Sequence, residues 1–186
     1  MNRYARQTIL PEMGQEGQER LKSASVLCIG VGGLGSPALL YLAAAGIGRI
    51  GLVDDDAVDI SNLQRQVLFK ETDQGAPKVE AAKAALAELN SECQIEAYHE
   101  RFNTENAEHL VNTYDVIIDG TDNFSSKFLI NDACVKFGKP LVYGSILGFV
   151  AQVSVFWAGH GPCYRCLYPK PPSGHIPNCA EAGVIG

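Results

Sequence analysis

Ser25-Val-Leu-Cys-Ile-Gly30-Val-Gly32-Gly33-Leu-Gly35 is the stretch on which the fold turns. Its first half is a short apolar run that halts at glycine, the pattern of a buried strand. Its second half fits G-x-G-x-x-G through Gly30, Gly32 and Gly35, and opens a helix from Leu34 to Ala45 that Gly46 stops. Arg49-Ile-Gly-Leu-Val53 follows as a second strand and closes on Asp54-Asp55-Asp56. Strand, helix and strand within about 30 residues make a βαβ unit, whose crossover is right-handed.

Working outward, residues 1–23 read as a polar, Gln/Glu-rich arm leading into the first strand. Downstream, Asp59 to Gly75 is a polar connection too long for a turn, and connections of that length in compact domains are usually functional. Lys78–Leu89 is an amphipathic helix with Pro77 in its first turn. Ile95–His99 reads as a strand, Thr104 as the cap of a helix through Leu110 or beyond, and Asp115–Asp119 as a buried strand. Asn123–Phe137 is a helix ended by Gly138, and Pro140–Gly144 and Val150–Trp157 complete the sheet. The alternation of Val153, Val155 and Trp157 marks the last strand as half-covered and antiparallel. The expected fold is therefore α/β: a Rossmann-like, doubly wound, mostly parallel sheet with an antiparallel extension. A cysteine-containing loop region follows from Gly159 onward.

Composition narrows the class. The 186 residues carry 21 acidic and 15 basic side chains, a formal charge of −6, which disfavours a general nucleic-acid binder. With 46% hydrophobic and 19% charged residues the chain can build a core and is not disordered. Ala24–Gly48 and Pro140–Tyr164 lack formal charge, but six glycines and Pro37 in the first, and Pro140, Gln152 and His160 in the second, exclude membrane spans. The N-terminus has no continuous apolar segment of a secretory signal. The expectation is a cytoplasmic protein whose six cysteines are thiols or metal ligands rather than disulfides.

The glycines let a backbone turn approach phosphates at a helix N-terminus, and Asp54 follows Gly35 by 19 positions, where an acid that bonds a ribose is expected. Nucleotide binding follows, and the motif alone favours NAD. Other residues pull away from a dinucleotide. Ser61-Asn62-Leu63-Gln64-Arg65-Gln66 places polar donors and a fixed cation in the long loop, and Lys78 opens the next helix. Arg65 and Lys78 suit the outer phosphates of a triphosphate, which a dinucleotide lacks. Asp122, in Gly120-Thr121-Asp122-Asn123, stands at the carboxyl edge of a strand, where a carboxylate can hold Mg²⁺. Taken singly, Arg65 also reads as a surface cation and Asp122 as a helix N-cap.

Together with Cys163-Tyr-Arg-Cys166, these motifs resemble the ThiF/MoeB/HesA family, the bacterial relatives of ubiquitin-activating enzymes, across essentially the whole chain. The resemblance implies one ATP-binding adenylation domain over residues 1–186. It also implies adenylation of the C-terminal glycine of a ubiquitin-like sulfur-carrier protein by Mg-ATP, in thiamine or molybdenum-cofactor type sulfur transfer. Under it, Gly30, Gly32, Gly33 and Gly35 with Asp54 and Asp56 form the nucleotide cradle, Asp54 on the ribose. Asn62, Arg65 and Lys78 address the phosphates and Asp122 the magnesium ion, with Ser61 and Asn123 beside them in the nucleotide site. Arg6 matches the arginine that reaches into the partner protomer's site, implying a homodimer. Cys179 matches the cysteine that carries the activated carrier in some members, and a sulfurtransferase is an implied partner.

Cys163-x-x-Cys166 is half of a zinc site. The family supplies a second C-x-x-C further along, so the expectation is a chain that lacks its C-terminal part, with an improvised Cys163, Cys166, His175, Cys179 quartet as the alternative. Cys28 and Cys134 read as core residues, Cys93 as a member of a polar turn, and His99, His109 and His160 as surface or strand-end residues. Two other functions stay open at this level. An NAD-linked oxidoreductase accounts for Gly30–Gly35 and Asp54 but leaves Arg65, Lys78 and the cysteines idle. A catalytically silent scaffold half is the other.

Overall fold

The computed structural model describes residues 2–172, 183 and 184. Among these, six strands form one sheet in the order β3-β2-β1-β4-β5-β6. They are β1 (Ser25–Ile29), β2 (Arg49–Val53), β3 (Gln94–Tyr98), β4 (Val116–Asp119), β5 (Leu141–Leu147) and β6 (Val150–Phe156). The first five pair in parallel, Cys28 opposite both Leu52 and Ile118, and β6 returns antiparallel on β5, with Val142 opposite Val155. β1 is buried along its whole length, which is why its five residues are apolar or small without alternation.

Helices clothe both faces. α3 (Gly35–Ala45) and α4 (Lys78–Leu89) cover one, packing Leu39, Ala43, Val79, Ala82 and Leu86 onto Val26, Cys28, Ile50 and Leu52. α5 (Ala107–Thr113) and α6 (Phe124–Phe137) cover the other, where Leu110, Val111, Phe128 and Ile130 meet Leu27, Ile29, Ile117 and Leu141. Gly46 ends α3 at φ 89°, a left-handed turn open to glycine at no steric cost. A short helix, α7 (Tyr164–Leu167), follows β6. None of the described helices is long and apolar enough to cross a membrane.

Four local expectations need correction. The polar arm is two helices, α1 (Ala5–Thr8) and α2 (Gly14–Ser23), held to the end of α3 because Gln7 and Gln18 donate to the Ala45 carbonyl. Glutamines that look solvated in sequence here satisfy carbonyls at a helix C-terminus. The long connection after β2 is pinned inward by Val58, Leu68 and Phe69, all buried, and by two short 3₁₀ turns at Ile60–Asn62 and Glu71–Asp73. α5 starts at Ala107 rather than after Thr104, because Asn103 and Asn106 exchange hydrogen bonds and form the preceding turn. Cys93 is buried, and burial pushes its thiol up to about 11.

The strand ends are set by two kinds of contact. At the amino edge, Ser25 donates its amide and hydroxyl to Asp115 across 90 residues. The Ser25 hydroxyl and then its amide hold the Asp115 carboxyl below the usual carboxylate range. At the carboxyl edge, the ends of β1 and β4 and the start of α3 touch backbone to backbone. A Cβ on Gly120 would stand 2.6 Å from the Gly30 carbonyl oxygen, and one on Gly35 would overlap that same oxygen.

Three outcomes follow. Gly35→Ala should lose about 3 kcal/mol, because backbone rather than a side-chain tip must move. Gly33→Ala should unfold in urea like the parent, its Cβ meeting only the Arg65 stem at 3.4 Å. Asp115→Asn should cost about 1 kcal/mol at neutral pH. A lowered folded pKa contributes stability that is complete above the unfolded pKa and lost as pH falls through the folded one, so the gap should narrow as pH falls below the ordinary carboxylate range. Denaturant midpoints, measured across pH for Asp115→Asn, check all three.

Candidate nucleotide site

A cavity of about 710 Å³ opens at the carboxyl edge, over the ends of β1, β2 and β4. It brings together Gly30, Gly32, Gly33, Asp54, Asp56, Asn62, Arg65, Lys78, Asp122 and Asn123, residues spread over more than half of the sequence. This is the crevice that strand-order reversal creates in open α/β sheets: β1 connects to one side and β4 to the other.

Each side chain is placed by its own element. Asp54 leaves β2 and accepts from the Val31 amide at 2.7 Å and from the Asp56 amide at 2.9 Å, so it fixes the glycine turn as well as facing the cavity. Burial raises the Asp54 pKa above its ordinary value, against the opposing pull of Lys78 and the two amides. Lys78 opens α4 and is 5% exposed, its Nζ 2.7 Å from Asp56. Arg65 lies across Gly33 and donates to the Ser61 carbonyl. Asn123, not Asp122, is the N-cap of α6, accepting from the Ser126 amide at 2.9 Å. That leaves the exposed Asp122 carboxylate with no hydrogen-bond or ion-pair partner among the described residues, free to take a cation.

Other expected residues stand elsewhere. Gly35 lies beneath the turn and serves its packing. Ser61 bonds Asp59 through its amide and hydroxyl and does not line the cavity. Arg6 is exposed on α1, next to the residues that anchor on Ala45. α3 begins at the cavity, and its 11 residues carry Ala45 about 16 Å away at 1.5 Å per residue, so Arg6 lies at the opposite end from its own cavity. Cys179 and His175 lie outside the described residues.

Cys163 and Cys166 place their Sγ atoms 3.7 Å apart. Two thiolates on one tetrahedral zinc, each at about 2.3 Å, stand about 3.8 Å apart, so the pair fits half of such a site. The knuckle is docked on α6: the Tyr164 amide donates to Asn131, Arg165 forks Asp132 at 2.6 and 2.7 Å, and the Tyr164 ring is buried. Cys28 and Cys134 are core thiols, as expected. Burial foremost raises both to about 12, which makes them poor nucleophiles.

Sequence reading missed Arg101 and Phe102, which follow β3 into the cavity, and Ser145, and it quoted Gln66 and Thr121 within motifs without giving either a role. It also missed a buried ion pair beneath Thr121 and Asp122. Lys127, 4% exposed, donates to Asp119 at 3.1 Å and to the Gly144 carbonyl at 2.9 Å, its Nζ lying over the Tyr143 ring. Asp119 in turn accepts from the Thr121 amide and hydroxyl. The signal was present: Lys127, Ile130, Asn131 and Cys134 fall at i, i+3, i+4 and i+7, a core-facing stripe that carries two polar residues.

Comparison with known proteins is consistent with this geometry. The ThiF family model matches residues 4–186. A sulfur carrier protein adenylyltransferase of Thermus thermophilus is 53% identical over 192 residues, covering 100% of this chain and 71% of that protein. The adenylyltransferase and sulfurtransferase MOCS3 of Drosophila ananassae is 51% identical, covering 99% of this chain but 41% of its own length. Among solved structures, E. coli MccB with ATP superimposes with a TM-score of 0.80 at 32% identity, over 89% of this chain and 51% of that one. MccB with MccA-N7isoASN gives 0.82 at 30% identity, over 95% and 53%. The chain thus spans most of the Thermus protein and about half or less of the others, and with its crevice, glycine turn and matched length it belongs to the ThiF family.

Proposed function

We propose that this chain forms one adenylation domain that activates the C-terminal glycine of a ubiquitin-like sulfur-carrier protein with ATP, with a sulfurtransferase as a further partner. The observation that carries this reading is the single cavity in which a glycine turn, an acid at the end of β2, two cations and an unpaired carboxylate converge. A dinucleotide reader has no use for Arg65 and Lys78 beside the glycine turn. A triphosphate does, because its outer phosphates need fixed positive charge.

The chemistry asks little of acids and bases. A glycine carboxylate is already ionised at neutral pH. Its oxygen attacks the α-phosphorus, the bond from that phosphorus to the bridging oxygen breaks, and pyrophosphate leaves with the electron pair. Asp54 holds the ribose, the glycine turn receives the phosphates, and Asn62, Arg65 and Lys78 neutralise charge on the leaving pyrophosphate. In this role Lys78 exchanges Asp56 for phosphate oxygen. Magnesium, held by Asp122, would add the charge compensation that two anionic reactants require. Positioning and electrostatics supply the rate, as in other phosphoryl chemistry.

Arg6 cannot serve the cavity of its own chain, so we assign it to the cavity of a second copy, in a homodimer. Cys163 and Cys166 would hold zinc and keep the knuckle on α6. Cys179 is the proposed acceptor thiol in any later covalent transfer.

The test is ATP–pyrophosphate exchange with a sulfur carrier ending in glycine, alongside the carrier's mass, which should rise by one adenylyl group. Lys78→Ala and Asp122→Ala should each cut exchange by roughly 10²–10³ while leaving the fold intact. Parental rates in both would refute their roles. For Arg6, a mixture of Arg6→Ala and Asp122→Ala chains, each nearly inactive alone, should regain activity once subunits exchange. Recovery should reach at most about half of parental per heterodimer, since only one of two symmetric sites is intact. No recovery after verified exchange would place Arg6 outside the site.

A further inference from the structure

Three consecutive residues of the glycine turn each meet one side chain from elsewhere in the fold. The Val31 amide meets Asp54 at 2.7 Å. A Cβ on Gly32 would stand 3.7 Å from Nε2 of Gln66, and one on Gly33 would stand 3.4 Å from the Arg65 stem. Along the turn the order is thus carboxylate, amide, guanidinium. The outer two have a chemical logic in the nucleotide reading, which this inference rests on: an acceptor for ribose hydroxyls and a donor for phosphate oxygens. In that reading the group between them would meet the junction of sugar and first phosphate.

Gln66 is unusual in its own right. It lines the cavity yet is only 4% exposed, and its Oε1 is buried without a hydrogen-bond partner among the described residues. Its backbone is held firmly, the amide donating to Asn62 and the carbonyl accepting from Phe69. Its side-chain amide makes no hydrogen bond with the described residues, although every other buried side-chain polar atom among them is paired or reaches solvent. A buried amide that the protein leaves unpaired lowers stability, and a leucine of similar size would not carry that cost. The terminal torsion of glutamine is soft, so the amide can turn toward a group entering beside Gly32.

We infer that Gln66 is a further nucleotide-contacting residue, donating Nε2–H to a non-bridging oxygen of the phosphate that adjoins the ribose. Its place over Gly32, between the acid and the guanidinium, selects that phosphate rather than the outer two, which fall to Arg65 and Lys78.

The test uses the full chain, calorimetry with ATP and AMP, and competition by adenosine, which has the sugar but no phosphate. Gln66→Leu should bind ATP and AMP roughly ten- to hundredfold more weakly, the loss expected for a hydrogen bond to a charged group. Adenosine affinity should stay within about twofold of the parent's. The melting temperature of ligand-free Gln66→Leu should equal or exceed the parent's, because the unpaired amide is gone. Gln66→Glu, which sets a carboxylate against the phosphate, should lose more than Gln66→Leu for ATP and AMP and nothing for adenosine. Parental ATP and AMP affinity in Gln66→Leu overturns the inference. So does an equal loss for adenosine, or a lower melting temperature without ligand. If the parent itself binds neither ATP nor AMP, the nucleotide reading of the whole cavity fails, whatever the variants do.

Discussion

Contact between three glycines underlies the whole carboxyl edge. Gly30, Gly35 and Gly120 bring the end of β1, the start of α3 and the end of β4 into backbone contact, with no room for a Cβ on any of them. Only that approach lets α3 point its N-terminus over the gap between β1 and β4. The strand order then opens the gap into a crevice, because the chain leaves β1 toward one face and β4 toward the other. Asp54 reinforces the turn by accepting from Val31, so the residue proposed to hold the ribose also shapes the loop proposed to hold the phosphates.

Beneath the opposite wall, the pair between Lys127 and Asp119 links three elements. Lys127 comes from α6, Asp119 ends β4, and the Gly144 carbonyl belongs to β5, just past the last β4–β5 pair at Asp119 and Tyr143. A buried ion pair is weak evidence for stability, because desolvation of both charges opposes their attraction. Its value here is geometric. Asp119 spends its second oxygen on Thr121, the residue before Asp122, so the strap that presents the unpaired carboxylate is tied to two strands and a helix. The same α6 carries the cysteine knuckle through Asn131 and Asp132, which joins the zinc-type pair mechanically to the cavity wall.

Charge around the cavity is arranged in partnerships. Lys78 is kept on Asp56 and Arg65 on a carbonyl, whereas Asp122 has no partner among the described residues. The first two are cations held in place for an anionic ligand, and the third is an anion left open for a cation. The thiols divide in the same physical way. Cys28, Cys93 and Cys134 are buried and raised, while Cys163 and Cys166 stand together toward solvent.

The sequence by itself determined the sheet, because apolar runs that end at Gly30, Asp54 and Asp119 announce buried parallel strands regardless of context. It also determined the nucleotide reading, since a glycine turn, an acid at the right interval and two cations are local patterns. What it could not supply was any relation that depends on where a helix face or a loop comes to rest. Gln7 and Gln18 looked solvated, yet they close the end of α3. Leu68 and Phe69 were lost in a polar stretch, yet they pin it. Lys127 lies on a helical stripe that faces the core, which the helix pattern alone does not single out. Only the tertiary structure decided that Asn123 caps α6 and frees Asp122, that Arg6 lies at the wrong end of α3 for its own cavity, and that the Gln66 side-chain oxygen is buried without a partner among the described residues. The reason is common to all of them: pattern encodes which face is apolar, but pairing of polar groups is settled by distances between segments far apart in the chain, and those exist only once the sheet has formed.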